Sequence, residues 1–119
     1  MKWWVSKLHE MAIAEGILNI AFDYAAQNHS TKINKITLKI GEMSGVEIEA
    51  LNLSFDVLTK DTIAEGAELI VNKIPLIGQC NKCGKEFHIE QYNFFCPECD
   101  GILILKSGRE LQVESLDME

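Results

Sequence analysis

The stretch CNKCGKEFHIEQYNFFCPEC, residues 80–99, contains all four cysteines of the chain and decides how the rest is interpreted. Each end of it is a Cys-x-x-Cys knuckle that can aim two thiolates at one point. Two knuckles together supply the four sulfurs that zinc takes in a closed tetrahedral site. The predicted ligands are Cys80, Cys83, Cys96 and Cys99. Gly84 and Gly101 follow the knuckles, where we expect a positive φ.

A closed four-sulfur site has no open position, so its expected role is to fold a loop that has little core of its own. The aromatic residues between the knuckles are expected to pack around the metal. They are Phe87, Tyr92, Phe94 and Phe95. His88 is surplus as a fifth ligand, and we interpret it as an exposed or packing histidine. Bound iron of the rubredoxin kind and a metal-free reactive dithiol pair are the alternatives to zinc.

Composition limits the classes of function. The 119 residues carry a formal net charge of −7, which is unfavourable for nucleic-acid binding because affinity for phosphates comes mainly from Lys and Arg. We find no apolar run long enough for a membrane span and no secretory signal peptide in residues 1–7. The predicted location is the cytoplasm, where disulfides are rare, so the paired cysteines indicate a metal rather than bridges.

Periodicity upstream of the cysteines predicts two helices and two strands. Residues 8–28 have an amphipathic helical pattern, with an apolar stripe of Ile13, Ile17, Ile20, Ala21 and Tyr24. Residues 33–41 alternate as a strand does. Ser44 and Glu47 have capping-box spacing, which predicts a helix from there to about residue 59. Residues 67–77 are predicted to form a second strand, with Pro75 at its edge or exit.

The segment after Gly101 has two apolar stretches, and the second, residues 111–116, alternates as a strand. We expect this strand to return to the first domain. The predicted fold is α+β, with two helices packed on a small mixed sheet and an inserted zinc-ribbon-like module. The predicted domains are residues 1–77 plus 106–119, and residues 78–105. A returning last strand could exchange between chains, so a homodimer is an open alternative.

Near the chain start, the sequence LHEM at residues 8–11 places His9 beside Glu10 at the head of the first helical pattern. By itself this pair is a solvated histidine and a carboxylate that suits a first helical turn. Catalytic motifs are missing: there is no phosphate-binding glycine loop, nucleophile elbow or His-Glu-x-x-His sequence. The residues therefore give little support to a hydrolase or another nucleophilic enzyme.

The combination of motifs is more specific than any one of them. His9-Glu10, Glu15-Gly16, Lys39-Ile40-Gly41, the two knuckles and Gly108-Arg109-Glu110-Leu111 together resemble the HypA/HybF family over nearly all of residues 8–117. These proteins are nickel metallochaperones of [NiFe]-hydrogenase maturation, so the resemblance implies that the chain is not an enzyme. The resemblance implies a HypB-type GTPase and the hydrogenase large-subunit precursor as partners.

The resemblance also implies a nickel site at the chain start. Family members typically begin Met-His-Glu, and hold nickel with the terminal amine, the imidazole and backbone nitrogens; nitrogen donors in a plane suit Ni(II). Carried over, His9 supplies the imidazole, and His9 and Glu10 supply backbone nitrogens. This chain has Leu8 in the Met position, with seven residues before it. Our hypothesis is that translation from residue 8 gives the native form; otherwise the leader removes the amine from the site. A zinc-ribbon interaction module without a nickel role is the alternative function.

Overall fold

The computed structural model describes residues 2–119, with side chains from Glu10 onward. The fold is α+β, as predicted, and the chain forms two compact units. Unit 1 comprises the described residues up to Leu38, together with Val46–Asn72 and Gln112–Glu119. Unit 2 comprises Lys39–Gly45 and Lys73–Leu111. The predicted domain boundaries stay a prediction.

The first helix of unit 1, α1, spans Lys2–Gln27 and begins earlier than predicted. Its buried face consists of Glu10, Ala14, Ile17, Leu18, Ala21 and Ala25. The predicted stripe was therefore partly wrong, since Ile20 and Tyr24 are 44% and 53% exposed. Alanines replace them on the buried face, because small side chains let a neighbouring helix approach closely.

The neighbouring helix is α2, Ile48–Leu58, which packs against α1. The predicted helix is confirmed, and its apolar face includes Leu51 and Phe55, which are both buried. The predicted capping box is wrong, because Ser44 ends a short 3-10 helix, Glu42–Ser44, and Glu47 occupies the N-cap position. Gly45 between them has φ 73°, and this left-handed turn separates the two helical segments.

Three strands form the first sheet: β1, Ile33–Gly41, β2, Glu68–Ile74, and β6, Leu111–Met118. Their order is β2-β1-β6, so the last strand returns beside the first strand, as predicted. The central strand buries alternate residues, Ile36, Leu38 and Ile40. β2 ends just before Pro75, which cannot donate a ladder hydrogen bond.

A second sheet, within unit 2, holds the cysteine module. Its strands are β3, Ile77–Cys80, β4, Glu86–His88, and β5, Leu103–Ser107. β3 is central and pairs antiparallel with both neighbours. The small core consists of Leu76, Cys80, Ile89, Cys96 and Leu103. Two of its five members are cysteines, so only three other buried side chains form this core.

Neither helix, over the residues that are described, combines the length and apolar character that a membrane span needs.

Candidate metal centre

The structure brings the four cysteines of the knuckles together. Their Sγ atoms all lie within 4.8 Å of one another, with Cys80–Cys99 at 3.4 Å and Cys83–Cys96 at 3.8 Å. A disulfide needs about 2.05 Å, and all four cysteines are free. Zinc bonded at about 2.3 Å to four tetrahedral sulfurs would hold them roughly 3.8 Å apart. The donor set and its spacing therefore fit a closed site for a thiophilic ion.

Backbone N–H groups point at the sulfurs, as the knuckle geometry requires. The N–H groups of Lys82 and Cys83 each donate to Cys80 Sγ at 3.4 Å. In the second knuckle, Glu98 donates to Cys96 Sγ at 3.4 Å, and Gly101 donates to Cys99 Sγ at 3.3 Å. These bonds stabilise thiolates, which are the form that binds metal.

The thiols do not ionise equally well, because they are crowded. The N–H of Cys83 is the main cause that lowers the pKa of Cys80 to about 6. At Cys99, the Gly101 N–H lowers the pKa, but the Cys80 sulfur and burial outweigh it and raise the pKa to about 12. Four thiolates at this separation repel one another unless a cation lies between them. The cluster thus needs a bound cation to hold all four sulfurs ionised.

The two glycines next to the knuckles are needed for different reasons. Gly84 has φ 77°, as predicted. The prediction for Gly101 was wrong, because its φ is not in the left-handed region. Gly101 is required for space: a Cβ there would lie 2.5 Å from Cys80 Sγ and 2.9 Å from Asn81 Oδ1. The backbone at residue 101 thus packs directly against the sulfur cluster.

Two exposed ion pairs link one knuckle to the other. Lys82 Nζ lies 3.0 Å from Asp100 Oδ1, and Lys85 Nζ lies 2.7 Å from Glu98 Oε1. Their exposure makes each pair a weak contributor to stability. The Glu98 carboxylate is the main cause that raises the pKa of Lys85, and the Cys83 and Cys96 sulfurs raise it further.

The aromatic residues divide into two groups, so the prediction that all four pack around the metal was partly wrong. Phe87 and Phe94 pack against the core of the module. Tyr92 and Phe95 are 61% and 70% exposed.

His88 does not join the sulfur cluster. Its Nε2 atom lies 2.8 Å from Glu42 Oε1, which also accepts the N–H of Leu76 at 3.0 Å. Glu90 Oε1 lies 3.9 Å from His88 Nδ1. The hydrogen bond to Glu42 raises the pKa of His88, while the Leu76 N–H is the main cause that lowers the pKa of Glu42. His88 is thus half exposed and paired with carboxylates of unit 2, which the sequence did not predict.

At the other predicted site, the His9 side chain lies outside the described residues. The backbone of His9 is helical, since α1 begins at Lys2. The N–H groups of His9 and Glu10 therefore lie beyond the first turn, where helix hydrogen bonds engage such donors. A metal that takes these nitrogens has to displace that hydrogen bonding.

The Glu10 side chain is fully buried, which is unusual for a carboxylate. Its Oε2 atom accepts the backbone N–H of Glu47 at 3.0 Å, at the N-cap position of α2. The carboxylate thus satisfies a helix-terminal donor, where negative charge is also favourable. One signal in the sequence could have predicted this burial: Glu10 lies four residues before Ala14 on the buried helix face.

Comparison with known proteins gives consistent matches over most of the chain. The family model described as hydrogenase/urease nickel incorporation, metallochaperone, hypA matches residues 8–118. A hydrogenase maturation factor HypA from Caldanaerobacter subterraneus subsp. tengcongensis is 36% identical over 114 residues, covering 94% of this chain and 100% of the relative. The HypA of Azoarcus sp. is 38% identical over 110 residues, covering 92% of this chain and 96% of the relative.

Two solved structures share the fold. A solution structure of a HypA protein superposes with a TM-score of 0.70 at 21% identity, covering 94% of this chain and 97% of the other. The Ni metallochaperone HypA from Helicobacter pylori gives a TM-score of 0.63 at 20% identity, covering 92% and 96%. At such identities the likeness shows the fold alone.

Proposed function

The chain belongs to the HypA family of hydrogenase-maturation nickel metallochaperones, and we propose that it binds Ni(II) reversibly at His9 and Glu10 and delivers it to a [NiFe]-hydrogenase large-subunit precursor. The observation that carries this proposal is the family match over residues 8–118, which includes both His9-Glu10 and the two knuckles. Nickel is the cargo of this protein, not a resident cofactor.

In this proposal, Glu10 contributes its backbone nitrogen and not its carboxylate. The carboxylate is buried and already holds the Glu47 N–H, so it is unsuited to capture an ion from solution. It acts instead as a positioning group that fixes α1 at residue 10 against the start of α2. The imidazole and backbone nitrogens of His9 then provide the remaining nitrogen donors, a set that suits Ni(II).

The four cysteines are the proposed zinc ligands, with zinc as a structural ion. Sulfur spacing, N–H···S bonds and the close packing of Gly101 all support a permanently closed site. Zinc would hold the four sulfurs as thiolates and complete a core that otherwise has five buried members. A closed site and a labile site in one chain fit a protein that must keep one metal and release another.

We also propose the setting in which transfer takes place. The location is the cytoplasm, and a HypB-type GTPase and the large-subunit precursor are the partners. The nickel-binding domain is residues 1–77 plus 106–119, and the zinc-binding domain is residues 78–105. A homodimer through exchange of β6 remains an alternative assembly.

Calorimetric titration of Ni(II) into the zinc-loaded protein tests the proposal. Two forms are compared: the chain as given, and a form that starts at residue 8 with Met in place of Leu8. Tight one-to-one binding in either form should be lost in His9→Ala. His29→Ala is the matched control, because His29 is an exposed histidine at the end of α1.

Tighter binding by the shorter form would show that the terminal amine takes part and that the longer helix competes for the backbone nitrogens. Equal binding would show that another donor replaces the amine. If neither form binds nickel specifically, or if His9→Ala binds as well as wild type, the nickel proposal is wrong. Metal analysis of the purified protein should give one zinc per chain.

A further inference from the structure

The cysteine module displays an apolar strip on the face of its sheet opposite the core. Phe95 and Ile102 form an antiparallel bridge, so their side chains lie side by side on one face. Ile104 follows two residues later on the same face, while Leu103 between them is buried in the core. We call Phe95, Ile102 and Ile104 the apolar strip; they are 70%, 50% and 56% exposed.

The turn that leads to this strip is strained. Gln91 and Tyr92 have φ 51° and 57°, in the left-handed region that side chains other than glycine rarely adopt. The turn is held by Asn93, whose N–H donates to Glu90 O at 3.0 Å and whose Oδ1 accepts the Phe95 N–H at 3.2 Å. The turn is thus held by its own hydrogen bonds, and the exposed Phe95 side chain follows directly after it.

Charge distinguishes this surface from the rest of the protein. Residues 73–111 carry five basic and five acidic side chains, so the formal charge of −7 arises entirely elsewhere in the chain. Four thiolates with one zinc would make this segment −2, still far less acidic than the remainder. Lys106 continues the strip on the same face of β5, and among the described side chains the structure records no ion pair for it. An acidic partner segment, which the rest of the chain repels, can therefore approach the apolar strip beside Lys106.

The size of the strip limits its occupant. Three side chains at these exposures offer on the order of 300 Å² of apolar surface. A stable interface needs roughly 800 Å² from each partner, so the strip alone is too small for a permanent dimer. It fits a short segment that is held and released.

We propose that the apolar strip and Lys106 bind a short apolar segment of the protein that receives the nickel, with a carboxylate of that segment paired to Lys106. This inference rests on the proposed function, since it assigns a docking surface for the recipient. The strip contributes apolar contact and Lys106 selects an acidic neighbour. The association is transient because a delivery protein must leave after transfer.

The test measures binding of the full zinc-loaded chain to the purified large-subunit precursor of the same organism by biolayer interferometry. Ile104→Ser and Phe95→Ser should each weaken the affinity at least tenfold, and Lys106→Glu should slow association and reduce its salt dependence. Leu53→Ser is the matched control, since Leu53 is 57% exposed on α2, and it should bind as wild type does. Zinc content and circular dichroism of every variant establish that it is folded.

Each other outcome overturns the inference. Wild type that does not bind the precursor, or strip variants that bind as well as wild type, would remove the strip as the docking surface. Strip substitutions that abolish only self-association in sedimentation velocity would assign it to a second copy of the chain. Nickel titrations of wild type and the strip variants separate the two proposals. If the strip variants bind both nickel and the precursor as wild type does, the docking role of the strip is refuted and the proposed function stands.

Discussion

Replacement of the buried Glu10 carboxylate should destabilise unit 1 much more than replacement of an exposed glutamate would. Glu10→Ala removes the oxygen that accepts the Glu47 N–H at 3.0 Å, a bond that is partly buried because Glu10 is buried and Glu47 is exposed. A hydrogen bond to a charged group contributes about 1.5–3 kcal/mol, and the lost methylene adds about 0.8 kcal/mol. Relief of the desolvated charge offsets part of this. We expect a net loss of about 2–3 kcal/mol.

Urea unfolding of the zinc-loaded protein, followed by far-UV circular dichroism at 222 nm, measures this loss, since both helices belong to unit 1. In a thermal scan it corresponds to a drop in Tm of roughly 10 °C. Glu10→Gln keeps an oxygen acceptor and should lose only about 0.5–1 kcal/mol, the charge-dependent part. Glu15→Ala, on the exposed side of the same helix, should change stability by less than about 0.5 kcal/mol.

The comparison between variants carries the conclusion. If Glu10→Ala were as stable as Glu15→Ala, the carboxylate would not hold the start of α2, and the positioning role would be refuted. The Gln variant also separates position from ligation. It should keep nickel affinity within about threefold of wild type if residue 10 supplies only its backbone nitrogen, whereas a carboxylate ligand would lose at least tenfold, about 1.4 kcal/mol.

Three further outcomes are expected. Gly101→Ala should weaken zinc retention against a chelator by at least tenfold, because the new Cβ meets Cys80 Sγ; retention equal to wild type would contradict the packing argument. Cys83→Ser should unfold the cysteine module, seen as lost tertiary amide signals in NMR spectra, with the helical signal of unit 1 retained; unchanged spectra would show that the site is dispensable. The pair of His88 and Glu42 should stabilise unit 2 only while both groups are charged: the contribution from Glu42 is lost as pH falls through its lowered pKa, and that from His88 is lost as pH rises through its raised pKa. The pair therefore contributes fully between about pH 4.5 and 6.5, the usual values of the two groups, and His88→Ala should reduce the fall of the urea midpoint below about pH 4.5 and above about pH 6.5; an unchanged profile would exclude the pair as its source.

The sequence by itself determined the local features of this protein. Knuckle spacing predicted the four-sulfur cluster, since each Cys-x-x-Cys turn fixes two ligands within four residues. Alternation predicted β1 and the returning β6, and Gly84 was assigned its positive φ correctly. These features depend on residues close together in the chain or on a simple repeat, which composition and spacing reveal.

Only the tertiary structure decided the features that depend on distant partners. Glu10 is buried where its carboxylate accepts a backbone N–H from a residue 37 positions away. His88 pairs with Glu42 across 46 residues, and Gly101 is small because Cys80 Sγ packs against it. The exposed strip at Phe95 and Ile102 likewise follows from a bridge between segments that no periodicity predicted. The physical reason is common to all four: burial and hydrogen-bond partnership belong to the packed chain, and a residue's own neighbours in sequence do not specify them.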